Sequence, residues 1–295
     1  MELLRLIEGI RSPFLDTVFG LITRLGEQTI LIIVFCVIFW CINKRMAYVM
    51  GVAFFLSSLV VQGMKICFRI DRPWVADPSF EPVRSAVRQA TGYAFPSGHT
   101  QNAAALLGSL AAQLKPVSVK AVLVALAVLV AFSRMYLGVH FLSDVVASLV
   151  ITFLLVWFAV KFVSHDDSIN KKRELVLSLL IVLCAVVVIV IALALYFGGT
   201  VEPRQLSDST RAAGAAIGFA IGMYVERVHI RFSVKAKNIF LQLGKFVLGL
   251  AGTLAIQEGV RLLGTGLAMD AVRYFLMVTW ITLFFPLIIK RFFAV

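Results

Sequence analysis

The chain has 295 residues, of which 60% are hydrophobic and only 15% charged, and its mean hydropathy is +0.95. This composition excludes a soluble globular domain and indicates a protein that crosses a membrane several times. The formal net charge of +12 is spread over short loops between apolar runs, which argues against a nucleic-acid partner and fits cationic loops kept at one membrane face.

The chain begins with residues 1–26, where apolar and charged positions alternate, a pattern that predicts an amphipathic helix lying at the membrane interface. Long apolar runs follow and predict an all-α fold, a polytopic membrane helical bundle with about nine transmembrane helices. These predicted spans cover residues 29–42, 46–64, 99–114, 121–136, 141–163, 175–197, 212–228, 239–263 and 271–289.

One long polar loop, residues 66–95, interrupts the early spans and runs into Pro96, Ser97, Gly98 and His99. Proline and serine favour the first positions of a helix, and glycine keeps side-chain bulk away from the free backbone N–H groups there. The helix that starts here could therefore hold an anion, with His99 beside it as a proton donor or acceptor. A simple helix cap with an interfacial histidine is the alternative.

Two further groups of polar residues stand at the edges of apolar runs. Lys65 and Arg72 precede the loop, and Arg134, His140 and Asp144 follow the span that ends near residue 136. His140 and Asp144 are four positions apart, so on a helix they share one face and the carboxylate can hold one imidazole nitrogen. The other nitrogen then stays free to act as a nucleophile.

Taken together, three motifs resemble those of the type 2 phosphatidic acid phosphatase superfamily, membrane lipid phosphatases whose site is similar to that of vanadium haloperoxidases. The resemblance covers roughly residues 1–163 and leaves the remaining residues outside it. The motifs are Lys65 with Arg72-Pro73, then Pro96-Ser97-Gly98-His99, then Ser133-Arg134 with His140 and Asp144.

The resemblance implies a metal-independent phosphatase that needs no cofactor and acts on a lipid phosphate. It implies that His140 is the nucleophile that becomes phosphorylated and that Asp144 orients it. His99 is expected to protonate the leaving alcohol and then to activate water. The phosphate is expected to be bound by Lys65, Arg72, Ser97, Gly98 and Arg134.

Short loops rich in lysine and arginine set the expected orientation in the membrane. They fall at residues 44–45, 115–120 and 161–173, on the side opposite the three motifs. We therefore expect an integral protein of a bacterial plasma membrane with an extracytoplasmic active site. Arg69, Arg72, Arg84 and Arg88 run against the rule, and we expect them to be retained for phosphate.

The chain divides on this evidence into a lipid phosphatase core, residues 1–163, and a four-helix transmembrane extension of unknown role, residues 174–295. Gly214, Gly218 and Gly222 recur every fourth residue in the extension and allow another helix to approach closely. That helix belongs either to the same chain or to a second subunit of a homodimer. The four cysteines, in or beside apolar runs, are expected to be buried and unpaired.

The sequence leaves the substrate open. Undecaprenyl pyrophosphate is the first candidate for a bacterial protein, followed by phosphatidate, phosphatidylglycerophosphate and a sphingoid phosphate. A phosphotransferase that passes the phosphate to another lipid or sugar is an alternative enzyme. A lipid transporter or scaffold with a vestigial site is the alternative from another class.

Overall fold

A computed structural model describes residues 1–88, 90–166, 168–264 and 266–293, and the regular structure in these ranges is helical throughout. The helices in chain order are α1 (Glu2–Glu8), α2 (Pro13–Ile22), α3 (Gln28–Val37), α4 (Lys44–Phe68), α5 (Pro73–Ala76), α6 (Arg84–Val87), α7 (Gly98–Gln113), α8 (Val117–Tyr136), α9 (Leu142–Phe162), α10 (Lys171–Phe197), α11 (Pro203–Val225), α12 (Ile239–Leu263), α13 (Leu267–Thr279) and α14 (Phe285–Phe292). Short π-helical turns extend α3, extend α11 and join α13 to α14.

Three of the long helices begin at asparagine residues that cap them. The side chains of Asn43, Asn170 and Asn238 accept hydrogen bonds from the backbone N–H three residues on, at the first turns of α4, α10 and α12. A cap of this kind satisfies a backbone donor that the first turn leaves unpaired. These residues therefore determine where the polar connections end and the apolar helices start.

Six helices within the described ranges are long and apolar enough to cross a membrane, and a bent pair, Pro13–Gly26 with Gln28–Ile42, would make seven. The expected count of nine is therefore not confirmed. Two of the nine predicted spans correspond to α7, which has 16 residues, and α11, which starts with polar side chains and is rich in small ones. The membrane assignment itself rests on apolar side chains that face outward, such as Leu183 and Val190 on α10.

Helix α4 lies at the centre of the bundle. Its residues 47–57 are all buried, which is typical of a helix surrounded by others on every side. It packs against α7 and α9 from the first half of the chain and against α10 and α11 from the second. Close approach to α11 depends on Gly51, because a methyl group there would collide with the ring of Phe219.

The glycine ladder of α11 faces a helix of the same chain. A methyl group at Gly218 would lie 2.6 Å from the Phe275 carbonyl oxygen of α13, and the positions of Gly214 and Gly222 are equally tight against Ala271 and Thr282. These glycines therefore let α13 and the π-helical turn that follows it pack on α11. A homodimer through the same face, the alternative that the sequence leaves open, would require that α13 be displaced.

Buried charges join the two halves of the chain at one end of the bundle. The Glu226 carboxylate is fully buried, lies 2.9 Å from Lys44 Nζ and accepts a 2.5 Å hydrogen bond from the Tyr48 hydroxyl. Beside it, Arg227 Nε lies 3.0 Å from the buried carboxylate of Glu174. Buried ions are tolerated only when they are paired, so this cluster requires that α4, α10 and α11 stay together.

The helices alternate in direction and give the bundle two distinct ends. We call the end that carries Lys65, His99 and His140 the motif end, and the end that carries Lys44 and Lys171 the basic end. The three motifs thus lie at the same end of the bundle, as expected. The cysteines differ from expectation, because Cys36 is buried but Cys41 and Cys184 are half-buried, and Cys67 is exposed at the motif end where α4 leaves the core.

Candidate active site

A cavity of about 150 Å³ opens at the motif end and draws its walls from every motif. This volume is well above the roughly 10–15 Å³ that a single water needs. The ends of α4 and α8, the beginnings of α7 and α11 and the loop before α7 all contribute to it. Its lining side chains include Gln62, Lys65, Arg72, His99, Arg134, His140, Gln205 and Asp208.

His140 and Asp144 are in contact, although His140 precedes the first residue of α9. Asp144 lies in the first turn of α9, and its Oδ2 accepts a 2.9 Å hydrogen bond from the backbone N–H of Phe141. The same oxygen lies 3.2 Å from His140 Nδ1, and both side chains are almost completely buried. The carboxylate thus fixes the histidine ring while it caps the helix.

The partners of the two ring nitrogens of His140 define its protonation. Arg72 Nη1 lies 2.8 Å from His140 Nε2 and 3.4 Å from Nδ1, so it is close to both ring nitrogens and does not by itself define the tautomer. Because the Asp144 carboxylate can only accept, we assign the ring proton to Nδ1, which donates it to Asp144 Oδ2. Burial, together with the charges of Arg72 and Arg134, lowers the pKa of His140 well below its ordinary value. The ring is thus neutral, and its Nε2 lies beside Arg72, which lines the same cavity.

Arg72 and Lys65 are held by the loop that covers the cavity. Arg72 donates to the carbonyl oxygens of Thr91, Gly92 and Val139 at 2.8 to 3.0 Å, and Lys65 Nζ donates to the Tyr93 carbonyl oxygen at 2.8 Å. The long loop therefore contributes backbone carbonyl groups to the site. Two fixed cations beside the His140 ring make the cavity suitable for an anion.

The N-terminal segment supports the other side of the cavity. Arg134 is almost fully buried, and its Nη1 donates a 2.8 Å hydrogen bond to the Thr23 hydroxyl, while its Nε is buried with no hydrogen-bond partner. His99 Nε2 is also buried without a partner. Buried polar atoms without partners are uncommon in proteins, and here both belong to residues that line the same cavity. Both atoms are therefore suited to contact a ligand.

Ser97 and Gly98 form the start of α7 in different ways. The Ser97 hydroxyl lies 3.0 Å from the Thr100 hydroxyl and also accepts from the Thr100 N–H, so it caps the helix. Gly98 lines the cavity, and a methyl group built on it would meet nothing within 4 Å, so packing does not require glycine here. Direct contact of Ser97 with phosphate stays a prediction.

Three arginines that were expected to serve phosphate lie elsewhere. Arg69, Arg84 and Arg88 do not appear among the described residues that line the cavity; Arg84 and Arg88 are exposed, and Arg69 is half-buried. Arg69 Nη1 donates to the Ile66 carbonyl oxygen at the end of α4 instead.

Four residues of the site were not expected from the sequence: Thr23, Gln62, Gln205 and Asp208. Gln62 precedes Lys65 by three positions on α4, so helical spacing places it on the same face and could have indicated it. Nothing in the local sequence pattern distinguishes Thr23, or Gln205 and Asp208 on α11, because tertiary packing alone brings them to the cavity.

The fold and the site together define a multi-span helical membrane protein with a cationic, histidine-containing cavity at one end. A family model described as PAP2 superfamily matches residues 46–167, and one described as PAP2 superfamily phosphatase, transmembrane extension, matches residues 210–294. Phosphatidylglycerophosphatase B of Bacillus subtilis (strain 168) is 31% identical over 179 residues, covering 56% of this chain and 82% of that protein. The chain therefore belongs to the PAP2 superfamily of membrane phosphatases. The second match extends the family resemblance beyond residue 163, where the motifs alone had ended it.

Two crystal structures are also similar to this chain. LpxE of Aquifex aeolicus is 27% identical, with a TM-score of 0.48, and the match covers 55% of this chain and 94% of that one. The first transmembrane PAP2 type phosphatidylglycerolphosphate phosphatase from Bacillus subtilis is 29% identical, with a TM-score of 0.43, and the match covers 54% of this chain and 81% of that one.

Proposed function

We propose that this chain hydrolyses the phosphomonoester or pyrophosphate head group of a membrane lipid through a phosphohistidine on His140. The observation that carries the proposal is the orientation of the His140 ring. His140 lines a cavity together with Lys65, Arg72 and Arg134; its Nε2 lies beside Arg72, and its Nδ1 contacts the buried carboxylate of Asp144. A neutral imidazole held in one tautomer beside fixed cations is suited to attack a phosphate dianion.

In the first half of the reaction, His140 Nε2 attacks phosphorus as the bond to the leaving oxygen breaks. A phosphate oxygen is a stronger acceptor than a neutral imidazole, so the arriving substrate draws the Arg72 guanidinium from Nε2 and frees its lone pair. Arg72, Lys65 and Arg134 balance the charge on the equatorial oxygens. Burial and the charges of Arg134 and Arg72 lower the pKa of His99 to about 3, so His99 takes up its proton only when the bound phosphate offsets these charges. It then gives this proton to the leaving oxygen, so the alcohol departs neutral.

In the second half, water attacks phosphorus and the nitrogen–phosphorus bond breaks. His99, now neutral, takes a proton from the water, and His140 recovers its lone pair as inorganic phosphate leaves. Asp144 stabilises the positive charge that the ring carries in the intermediate. In this scheme the basic side chains do the neutralising, so we propose that activity requires no metal.

The lipid is proposed from the relatives and from the site's position in the membrane. The name of the Bacillus subtilis relative favours phosphatidylglycerophosphate. Undecaprenyl pyrophosphate and phosphatidate remain the comparison substrates, since each also presents a phosphate at the end of an apolar chain. A bacterial plasma membrane is the proposed location.

The test is free-phosphate release by the purified protein in detergent with a chelator present, using these three lipids side by side. Wild-type protein is expected to release phosphate, and His140→Ala to lose release by several orders of magnitude while melting at the same temperature. Formation of phosphohistidine that discharges only to an added lipid or sugar alcohol would identify the phosphotransferase. Equal release by His140→Ala, or a strict requirement for added metal, would contradict the proposed mechanism.

We also propose that the motif end faces away from the cytoplasm, because the basic end carries the lysine- and arginine-rich connections. The exposed Cys67 at the motif end is a native reporter. A membrane-impermeant maleimide is expected to label it in intact cells. Ser118→Cys in a Cys67→Ser background places the thiol at the basic end and is expected to react only after lysis. The reverse pattern would place the active site in the cytoplasm.

A further inference from the structure

A second cavity of about 180 Å³ adjoins the candidate active site. Gln62, Gly98 and Asp208 line both cavities, so the two meet at the ends of α4, α7 and α11. Gln205 and Asp208, on the first turns of α11, bring the carboxyl-terminal extension into the wall of the catalytic cavity itself. The extension is thus within reach of whatever is attached to a phosphate bound beside His140.

Two side chains of the extension, Gln205 and Asp208, bring hydrogen-bond acceptors to the place where the cavities meet. Gln205 Oε1 is buried without a hydrogen-bond partner. Asp208 Oδ1 lies 3.5 Å from Arg211, and a carboxylate has about four acceptor positions, so most of its capacity is still available. The charge of Arg211 is engaged, because it also forms an ion pair with Asp270. The junction of the two cavities is therefore suited to hydrogen-bond donors on a ligand.

The second cavity leads to an apolar one between α3 and α13. The two share Gln28, Phe54, Phe55, Ala215 and Tyr274 in their walls. The apolar cavity, of about 50 Å³, is completed by aliphatic and aromatic side chains, among them Leu31 and Ile32 of α3 and Met277 and Val278 of α13. From the active site outward, the cavity walls are first cationic, then lined by hydrogen-bond acceptors, and finally apolar. A lipid with a phosphate, a hydroxylated head and a hydrocarbon chain has its parts in the same order.

We propose that Gln205 and Asp208 form a subsite that binds a hydroxyl group of the leaving alcohol, so that the carboxyl-terminal extension selects lipids with a hydroxyl close to the phosphate ester. This inference rests on the proposed phosphatase activity and adds a specificity to it. The hydroxyl donates to the Asp208 carboxylate and the Gln205 amide oxygen, and the chain of the lipid leaves between α3 and α13.

The test compares two lipids that differ by one hydroxyl: hexadecyl glycerol phosphate and the analogue that lacks the secondary hydroxyl. Since a hydrogen bond to a charged group is involved, wild-type protein is expected to prefer the hydroxylated lipid by about 10- to 100-fold in kcat/KM. Asp208→Asn keeps the shape and removes the charge, and it is expected to reduce this preference to under about fivefold. Gln205→Met, which removes the unpartnered acceptor, is expected to reduce it as well.

Glu202→Gln is the matched control, because Glu202 is an exposed carboxylate at the start of the same helix and lines neither cavity. It is expected to keep the wild-type preference. If Asp208→Asn lowers the melting temperature, Gln205→Met still decides the question, because Gln205 makes no ion pair.

The outcomes separate the subsite from the activity on which it rests. Equal use of the two lipids by wild-type protein, or an equal loss on both lipids in Asp208→Asn and Gln205→Met, would overturn the subsite and leave the phosphatase in place. Release from undecaprenyl pyrophosphate alone would also overturn the subsite. Absence of release from all lipids tried would overturn the proposed function and the subsite with it.

Discussion

Asp144→Asn is expected to preserve the fold and substrate binding while lowering kcat by about 100- to 1,000-fold. Asp144 Oδ2 accepts from the Phe141 N–H at 2.9 Å and lies 3.2 Å from His140 Nδ1. The carbonyl oxygen of asparagine can occupy the same point and keep both hydrogen bonds. The variant therefore removes the negative charge without removing the contacts.

The magnitude follows from the charge that the ring acquires. In the phosphohistidine the imidazole becomes positive, and two unit charges about 4 Å apart attract by about 4 kcal/mol at an effective dielectric constant of 20. Each 1.36 kcal/mol corresponds to about a tenfold change in rate, so about 1,000-fold is the upper end. A transition state that has developed only part of the charge gives the lower end.

The assay is phosphate release at saturating lipid, together with trapping of the phosphorylated protein by rapid alkaline quench. Ser143→Ala is the control, since the Ser143 hydroxyl lies 3.3 Å from Asp144 Oδ1 and its removal leaves the charge in place. Its effect on kcat is expected to stay below about tenfold. Asp144→Asn with turnover within about threefold of wild type would refute the role assigned to the carboxylate.

Three further predictions follow from individual contacts. Arg72→Lys is expected to lower kcat/KM by about 10- to 100-fold, because a point charge replaces a forked donor. Arg69→Lys, at a half-buried position that does not line the cavity, is expected to have little effect in the same assay. Because the pKa of His140 is lowered in the folded protein, the unfolded state binds more protons below pH ~6.5. The free energy of unfolding is therefore expected to fall as pH decreases from there, by up to about 1.4 kcal/mol per pH unit. His140→Gln is expected to reduce this slope, measured in thermal melts at a series of pH values. An unchanged slope would show that the ring is protonated in the folded protein. Arg227→Met is expected to lower the free energy of unfolding in detergent by about 3–5 kcal/mol, because it leaves the buried carboxylate of Glu174 unpaired. Arg173→Met, at an exposed position, is the control and is expected to change it little. Equal effects of the two variants would contradict the buried pairing.

The convergence of the motifs could be predicted from the sequence because each motif stands where an apolar run ends. Helices that alternate in direction bring such boundaries to the same end of a bundle. The contact of His140 with Asp144 was also predicted, but for a different geometry. His140 lies before α9, and the carboxylate reaches it because it turns back to cap the Phe141 N–H. The four-residue spacing thus predicted Asp144 as the partner of His140, and the start of α9 determines how the carboxylate is oriented.

The remaining parts of the site depend on contacts that local patterns do not encode. Arg134 contacts Thr23 across 111 positions in the chain, and Asp208 reaches the cavity only because α11 packs on α4. The number of spans is similarly ambiguous, because α7 is short and its buried face is satisfied by other helices rather than by lipid. Hydropathy alone cannot separate these two environments, since small apolar residues suit both.

The extension contacts the rest of the chain at three levels of the bundle, and these contacts depend on one another. At the basic end Glu226 pairs with Lys44, in the middle Gly51 lets Phe219 approach α4, and at the motif end Asp208 enters the cavity wall. A shift of α11 along α4 would separate the buried ions and bring Phe219 against a bulkier position of α4. The position of Asp208 relative to His140 is therefore determined by packing far from the cavity. A subsite held in this way can select a leaving alcohol without carrying any part of the chemistry.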